Sequence, residues 1–179
     1  MEVHSSPAAY QEKIVTIDVW GVNSHLTAYD VPLTFEVFEI STGKRVLAKD
    51  MSARLLPNQS TEVICGMDVT NFNPSDIVVS VSFKIQNGKL IRSSADWPQP
   101  LKYVDFSGRN VTYSVDREEI HLRAERPTKA VFLDLEAEDD SGLEWEDNGL
   151  DIMPGETVRI AAKGLNGRKI TVNWYGKRL

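Results

Sequence analysis

Apolar and polar residues alternate at period two along most of this chain, and no feature constrains its fold more. Val15, Ile17 and Val19 alternate with Thr16 and Asp18. Leu33, Phe35 and Val37 alternate with Thr34 and Glu36, and Val79, Val81, Phe83 and Ile85 with Ser80, Ser82 and Lys84. Successive side chains of a strand point to opposite faces, so each run has one face to bury and one to leave wet. Turn sequences punctuate the runs: Ser41-Thr42-Gly43-Lys44, Leu56-Pro57-Asn58-Gln59, Asn73-Pro74-Ser75-Asp76 and Gln86-Asn87-Gly88-Lys89. The last is an Asn-Gly hairpin sequence between Ile85 and Leu90. No stretch makes a convincing amphipathic helix. Residues 117–124 come nearest, and there Ile120, Leu122 and Ala124 fit a strand better. Short strands at this spacing predict an all-β chain built as a β-sandwich.

The segment Asp96-Trp97-Pro98-Gln99-Pro100 breaks the pattern, because two prolines in three positions cannot sit inside a central strand. About seven strands precede it, the number in an immunoglobulin-like domain. A smaller set follows, at Val111–Val115, Glu119–Ala124, Lys129–Leu135, Thr157–Ala162 and Lys169–Tyr175. The expectation is two consecutive immunoglobulin-like β-sandwich domains, residues 1–105 and 106–179.

With 179 residues, 41% of them apolar, the chain can fill two small cores. A net charge of −6 argues against nucleic acid as a partner. No apolar stretch is long enough to span a bilayer. Met1–Ser6 lacks the basic and apolar regions of a secretory signal, which gives a cytoplasmic expectation. Cys65 is the lone cysteine, so no intrachain disulfide forms, and beside Ile64 it reads as a small buried hydrophobe. His4, His25 and His121 have no partner at metal-ligand spacing, and no Gly-rich phosphate loop follows a strand, so no metal and no cofactor is expected. The sequons at Asn58 and Asn110 read as chance occurrences.

Charge separates in the second half. Nine acids and no Lys or Arg lie between Asp134 and Asp151, and five bases and no acids lie between Lys163 and Leu179. Adjacent strands could bring the two groups together, or either could face a partner. The run Glu136–Asp140, with Ser141 and Gly142, lacks the spacing of a calcium hand and reads as a solvated loop. Trp20 reads as core, and Trp174 as core or inter-domain packing. Trp97 and Trp145 lie in polar, turn-rich segments. An exposed indole can stack on a sugar ring, although packing against a neighbouring domain is favoured for both. The candidate contacts with sugar or with another domain are Trp97, Trp145, Asp147 and Asn148.

Three stretches together resemble the end of a known enzyme family. Val19-Trp20-Gly21-Val22-Asn23-Ser24 looks like the first strand of a penultimate sandwich. Asp96-Trp97-Pro98-Gln99-Pro100-Leu101-Lys102-Tyr103 looks like the segment that closes it. The acidic loop Glu146–Glu156, containing Asn148-Gly149 and Pro154-Gly155, looks like part of the closing domain. In this order and spacing they resemble the β-mannosidases of glycoside hydrolase family 2, especially the fungal, β-mannosidase B-like group. The resemblance implies a C-terminal accessory portion of a glycosidase that removes terminal β-linked mannose from non-reducing ends, with retention. Both catalytic Glu residues would lie in a barrel of about 250 residues for which this chain has neither length nor helices. No catalytic residue is therefore expected here, and the chain alone is expected to be inactive. The implied partner is that catalytic barrel, with manno-oligosaccharide as a further candidate. An independent carbohydrate-binding module is the alternative, followed by a protein-interaction sandwich that uses the acidic loop.

Overall fold

The computed structural model describes residues 2–5, 15–84, 90–136 and 142–177. The chain divides into two compact units. Unit 1 comprises Met1–Ile40 and Arg45–Asp105, and unit 2 comprises Ser41–Lys44 and Phe106–Leu179. The hairpin Asn87-Gly88 and all of the run Glu136–Asp140 except Glu136 lie outside the described residues.

Unit 1 contains strands β1 (Glu2–Ser5), β2 (Thr16–Asn23), β3 (Tyr29–Glu39), β4 (Arg45–Leu55), β5 (Gln59–Asp68), β6 (Ile77–Lys84) and β7 (Leu90–Asp96). They form two antiparallel sheets, ordered β1-β2-β5 and β4-β3-β6-β7. The alternating runs supply the core. Val15, Ile17 and Val19 from one sheet meet Leu33, Phe35, Val37, Val79 and Val81 from the other. Burying a side chain of this size stabilises the fold by about 1.5–3 kcal/mol. At the 3₁₀ turn Pro74–Asp76, the Asn73 side chain accepts a hydrogen bond from the Ser75 amide.

Two residues read as buried lie outside the core. Trp20 is 37% exposed, because alternation from Ile17 and Val19 turns it onto the face of Asp18. Cys65 is exposed because β5 bulges here: its register with β2 shifts on either side of Ile64, Val63 and Ile64 both pack against the core, and Cys65 beyond them points out.

Unit 2 contains β8 (Val111–Asp116), β9 (Glu119–Ala124), β10 (Thr128–Leu135), β11 (Glu144–Trp145), β12 (Leu150–Ile152), β13 (Val158–Lys163) and β14 (Ile170–Asn173). The sheets are ordered β12-β10-β14 and β11-β13-β9-β8. Ile120, Leu122, Val131, Leu133, Ile152, Ile160, Leu165 and Val172 fill the space between them. Strands β11 and β12 come from the acidic stretch read as a loop. At two and three residues, they are too short for a period to show. Among the described residues the only helical elements are 3₁₀ turns, and no helix is long and apolar enough to cross a membrane.

Candidate functional site

The described part of the acidic stretch from Glu144 to Asp151 is built into the frame of unit 2. Glu144 pairs with Lys163 across β11 and β13, and their charged ends lie 3.0 Å apart. The Glu146 amide donates to the Ala161 carbonyl at 2.8 Å, and its carboxylate accepts from the Ala161 amide at 3.1 Å. Asp147 accepts from the Asn148 amide at 2.8 Å. Asn148 then pairs with β10 as a strand residue would. Its Oδ1 accepts from the Leu133 amide and its Nδ2 donates to the Leu133 carbonyl, both at 2.8 Å. Asp151 holds the next irregularity. Its carboxylate accepts from the Ala130 amide at 2.9 Å and from Lys129 Nζ at 3.1 Å. Ala130 has φ +49° and sits where the β10–β12 register shifts, so Asp151 clamps a bulge. Among the described residues, strand pairing thus joins Glu144 to the basic segment, and main-chain amides and Lys129 engage Glu146, Asp147 and Asp151.

Trp145 is half-buried and packs against the core of unit 2. Trp97 belongs to unit 1 and is 8% exposed, and Gln99 two residues on is also buried. Of the four candidate contacts, Trp145, Asp147 and Asn148 lie in unit 2 and Trp97 lies in unit 1.

Two features went unseen in the sequence. One is a loop end of unit 1 where apolar side chains reach solvent: Val22, Leu26, Tyr29 and Leu56 are exposed, and Leu26 is 85% so. A buried side chain, Asn23, ties the two loops together. Its Nδ2 donates to the carbonyls of Thr27 (2.8 Å), Leu56 (3.0 Å) and Leu55 (3.4 Å), and its Oδ1 accepts from the His25 amide (3.0 Å). The Asn58 amide donates to the His25 carbonyl, and the His25 ring meets Tyr29 edge-on. These apolar residues are thus held in place at two adjoining loops.

The other is a cavity of about 560 Å³ in unit 2, lined by Phe106, Ser107, Gly108, Arg109, Trp174, Gly176 and Lys177. Tyr175 packs edge-on to Phe106 at 4.9 Å, and the Arg109 guanidinium lies 5.2 Å from the Phe106 ring centre. Lys177 Nζ sits 4.6 Å from the Trp174 ring centre and donates to the Val172 carbonyl at 2.6 Å. Gly176 is at φ +82°, and a Cβ there would lie 2.7 Å from Phe106 Cβ, so the turn admits only glycine. The volume suits a small ligand, and cation–π contacts organise the wall. Residues 106–109 and 174–177 are far apart in the sequence, so nothing in it shows that they meet.

Two exposed groups have shifted protonation. Glu62, through a hydrogen bond and its charge, raises the Cys65 thiol above its usual range. The hydroxyl and amide of Thr70 hold the Asp68 carboxyl below the usual range. Among the described residues no group of three or more His, Cys, Asp or Glu could hold a metal ion.

Comparison with known proteins places both halves. Residues 15–103 match the mannosidase Ig/CBM-like domain family, and residues 105–173 match an Ig-fold domain family of mannosidases. The chain is 30% identical to Beta-mannosidase B of Thermothelomyces thermophilus over 89% of its length and 20% of that protein. It is 28% identical to Beta-mannosidase B of Aspergillus clavatus over 88% of its length and 19% of that protein. It therefore spans about a fifth of the length of these curated relatives. Among solved structures, a β-D-mannosidase of Dictyoglomus thermophilum superposes with TM-score 0.75 at 18% identity, covering 97% of this chain and 21% of that one. An exo-chitosanase of Amycolatopsis orientalis gives TM-score 0.61 at 12% identity, covering 98% and 26%. At these identities the superpositions speak for the fold alone.

Proposed function

Because the chain belongs to the mannosidase Ig-like domain families over both of its halves, we propose that it is the accessory portion of a β-mannosidase-like glycoside hydrolase. The full enzyme removes terminal β-D-mannose from non-reducing ends, using two carboxyl groups held by a catalytic barrel outside this chain. The sandwiches contribute no reacting group. They dock on the barrel and support it. The stapled loop end of unit 1 carries this reading: side chains such as Leu26 are exposed yet held in place by Asn23, as a surface meant to be covered would be.

The test begins with the protein in its source. Tryptic peptides of this chain are expected in a polypeptide several times larger than 20.1 kDa that hydrolyses p-nitrophenyl β-mannoside. Recovery only from a species near 20.1 kDa would overturn the reading. Within that enzyme, Leu26→Asp is expected to lower the temperature at which mannosidase activity is lost. The melting of the isolated chain should not change, since Leu26 is largely in water.

The cavity beside Phe106 and Trp174 supports a second reading, an independent carbohydrate-binding module. Saturable quenching of tryptophan fluorescence by manno-oligosaccharide, lost in Trp174→Ala, would favour it. Absence of quenching leaves docking ahead.

A further inference from the structure

Strand β8 is the outermost strand of its sheet. Its register with β9 pairs Val111 with Ala124, Tyr113 with Leu122 and Val115 with Ile120. Ala124, Leu122 and Ile120 are core residues, so Val111, Tyr113 and Val115 stand on the core-facing side. Val111 alone of the three is buried. Tyr113 is 47% exposed and Val115 43%, so the rim of the sandwich is uncovered here. The Tyr113 hydroxyl donates to the Ile170 carbonyl at 3.3 Å, which fixes its ring across that rim.

The main chain leads to the same three residues. The Ala162 amide donates to the Glu118 carbonyl, and β13 pairs Ile160 with Ile120 and Val158 with Leu122. Residues 118, 120 and 122 therefore turn their peptide groups toward β13, and 119, 121 and 123 turn theirs toward β8. By the same alternation β8 uses Thr112, Ser114 and Asp116 on β9. The peptide groups of Val111, Tyr113 and Val115 point out along the edge. Among the described residues no strand pairs with that edge. Native edges are commonly protected by lysine, proline or a bulge. Here β8 has neither residue, and its pairing with β9 runs without a register shift.

The sequence of the edge says what fits it. Val111-Thr112-Tyr113-Ser114-Val115 reads the same in both directions by residue class: β-branched, hydroxyl, aromatic, hydroxyl, β-branched. We propose that β8 pairs antiparallel with β8 of a second copy of this chain, about a two-fold axis through Tyr113. Val111 of one copy then opposes Val115 of the other, and both tyrosines meet on the axis. These are the residues whose peptide groups face outward, so each pair exchanges both hydrogen bonds. Thr112 opposes Ser114 on the outer face and Asp116 opposes Asn110, so no like charges meet within the strand; the like pair Arg109 and Arg117 falls beyond its ends. Cross-strand aromatic, β-branched and hydroxyl pairs of this kind are favourable. Sliding the register by two residues would set Val111 against Arg117, which lies in the turn at φ +58°. The contact is isologous and closes on itself.

A six-residue strand makes a small interface, so the dimer forms in a concentration-dependent way. Sedimentation velocity across a series reaching millimolar chain is expected to show a species at twice 20.1 kDa. Tyr113→Lys places a charge on the rim and is expected to abolish it, with circular dichroism confirming the fold. In a Cys65→Ser background, Tyr113→Cys is expected to oxidise to a covalent dimer. Residues opposed on such an axis have Cα atoms about 5.5 Å apart, within disulfide reach. Phe132→Cys, exposed on β10, is expected to remain monomeric under the same oxidation. Three results would each overturn the proposal: a monomer at every concentration, a dimer that survives Tyr113→Lys, or equal cross-linking of the two cysteine variants. If Tyr113→Lys does not fold, the cysteine comparison decides.

Discussion

Replacing Asn148 with alanine removes the side chain that stands in for a strand. It accepts from the Leu133 amide and donates to the Leu133 carbonyl, both at 2.8 Å, and Leu133 is itself buried in the core of unit 2. A buried main-chain group left without a partner costs about 1–3 kcal/mol. Asn148 is only half-buried, so water can reach part of the gap and the lower end applies. The expected loss for the two groups together is about 2 kcal/mol. In a domain of roughly 60–100 residues, 1 kcal/mol moves the melting temperature by about 4–8 °C, so Asn148→Ala should lower the melting of unit 2 by about 10 °C. Lys163→Ala is the comparison. It breaks the Glu144–Lys163 pair, whose side chains are 71% and 76% exposed, and such pairs contribute less than about 1 kcal/mol. Calorimetry gives the difference, and hydrogen exchange at the Leu133 amide locates it. If Asn148→Ala melts with Lys163→Ala and the Leu133 amide stays protected, the assignment of Asn148 as part of the frame is wrong.

Four further outcomes follow from local geometry. Ala130→Gly should stabilise unit 2 by about 0.5 kcal/mol in urea titration, because relief of the left-handed backbone at φ +49° outweighs the added freedom of the unfolded chain. Gly164→Ala should cost more than about 2 kcal/mol in the same assay, since its Cβ would collide with the Gly142 carbonyl oxygen. Gly155→Ala meets open space and should cost only the strain of its positive φ, about 1 kcal/mol. Glu62→Gln should speed alkylation of Cys65 by iodoacetamide at pH 8: the thiol is held above its usual range by Glu62, and removing that charge raises the thiolate fraction. An unchanged rate would show that Glu62 does not govern the thiol.

The strands were legible wherever one face is buried and the other wet. The run Val15–Val19 and the run Ile120–Ala124 both have that pattern, and each lies in the core as its alternation requires. Alternation also contained the correct placement of Trp20, whose bulk and apolar character suggested burial against the parity of its neighbours. Strands β11 and β12 were not legible, because two or three residues cannot display a period. The roles of Asp147, Asn148 and Asp151 were hidden for a related reason. A polar side chain in an acidic stretch looks like solvated charge until the main-chain group it serves is brought beside it.

What the sequence determined by itself was therefore the strand character of the chain and the family to which both halves belong. Each of these is written in residues close together along the chain. Tertiary structure decided which polar groups serve the frame, how Asn23 staples two loops, and where Phe106 meets Tyr175. It also decided which strand is left at an edge. Those outcomes depend on residues tens of positions apart, and no local pattern carries them, because it is the pairing of strands and the closing of two sheets over one core that bring such residues into contact.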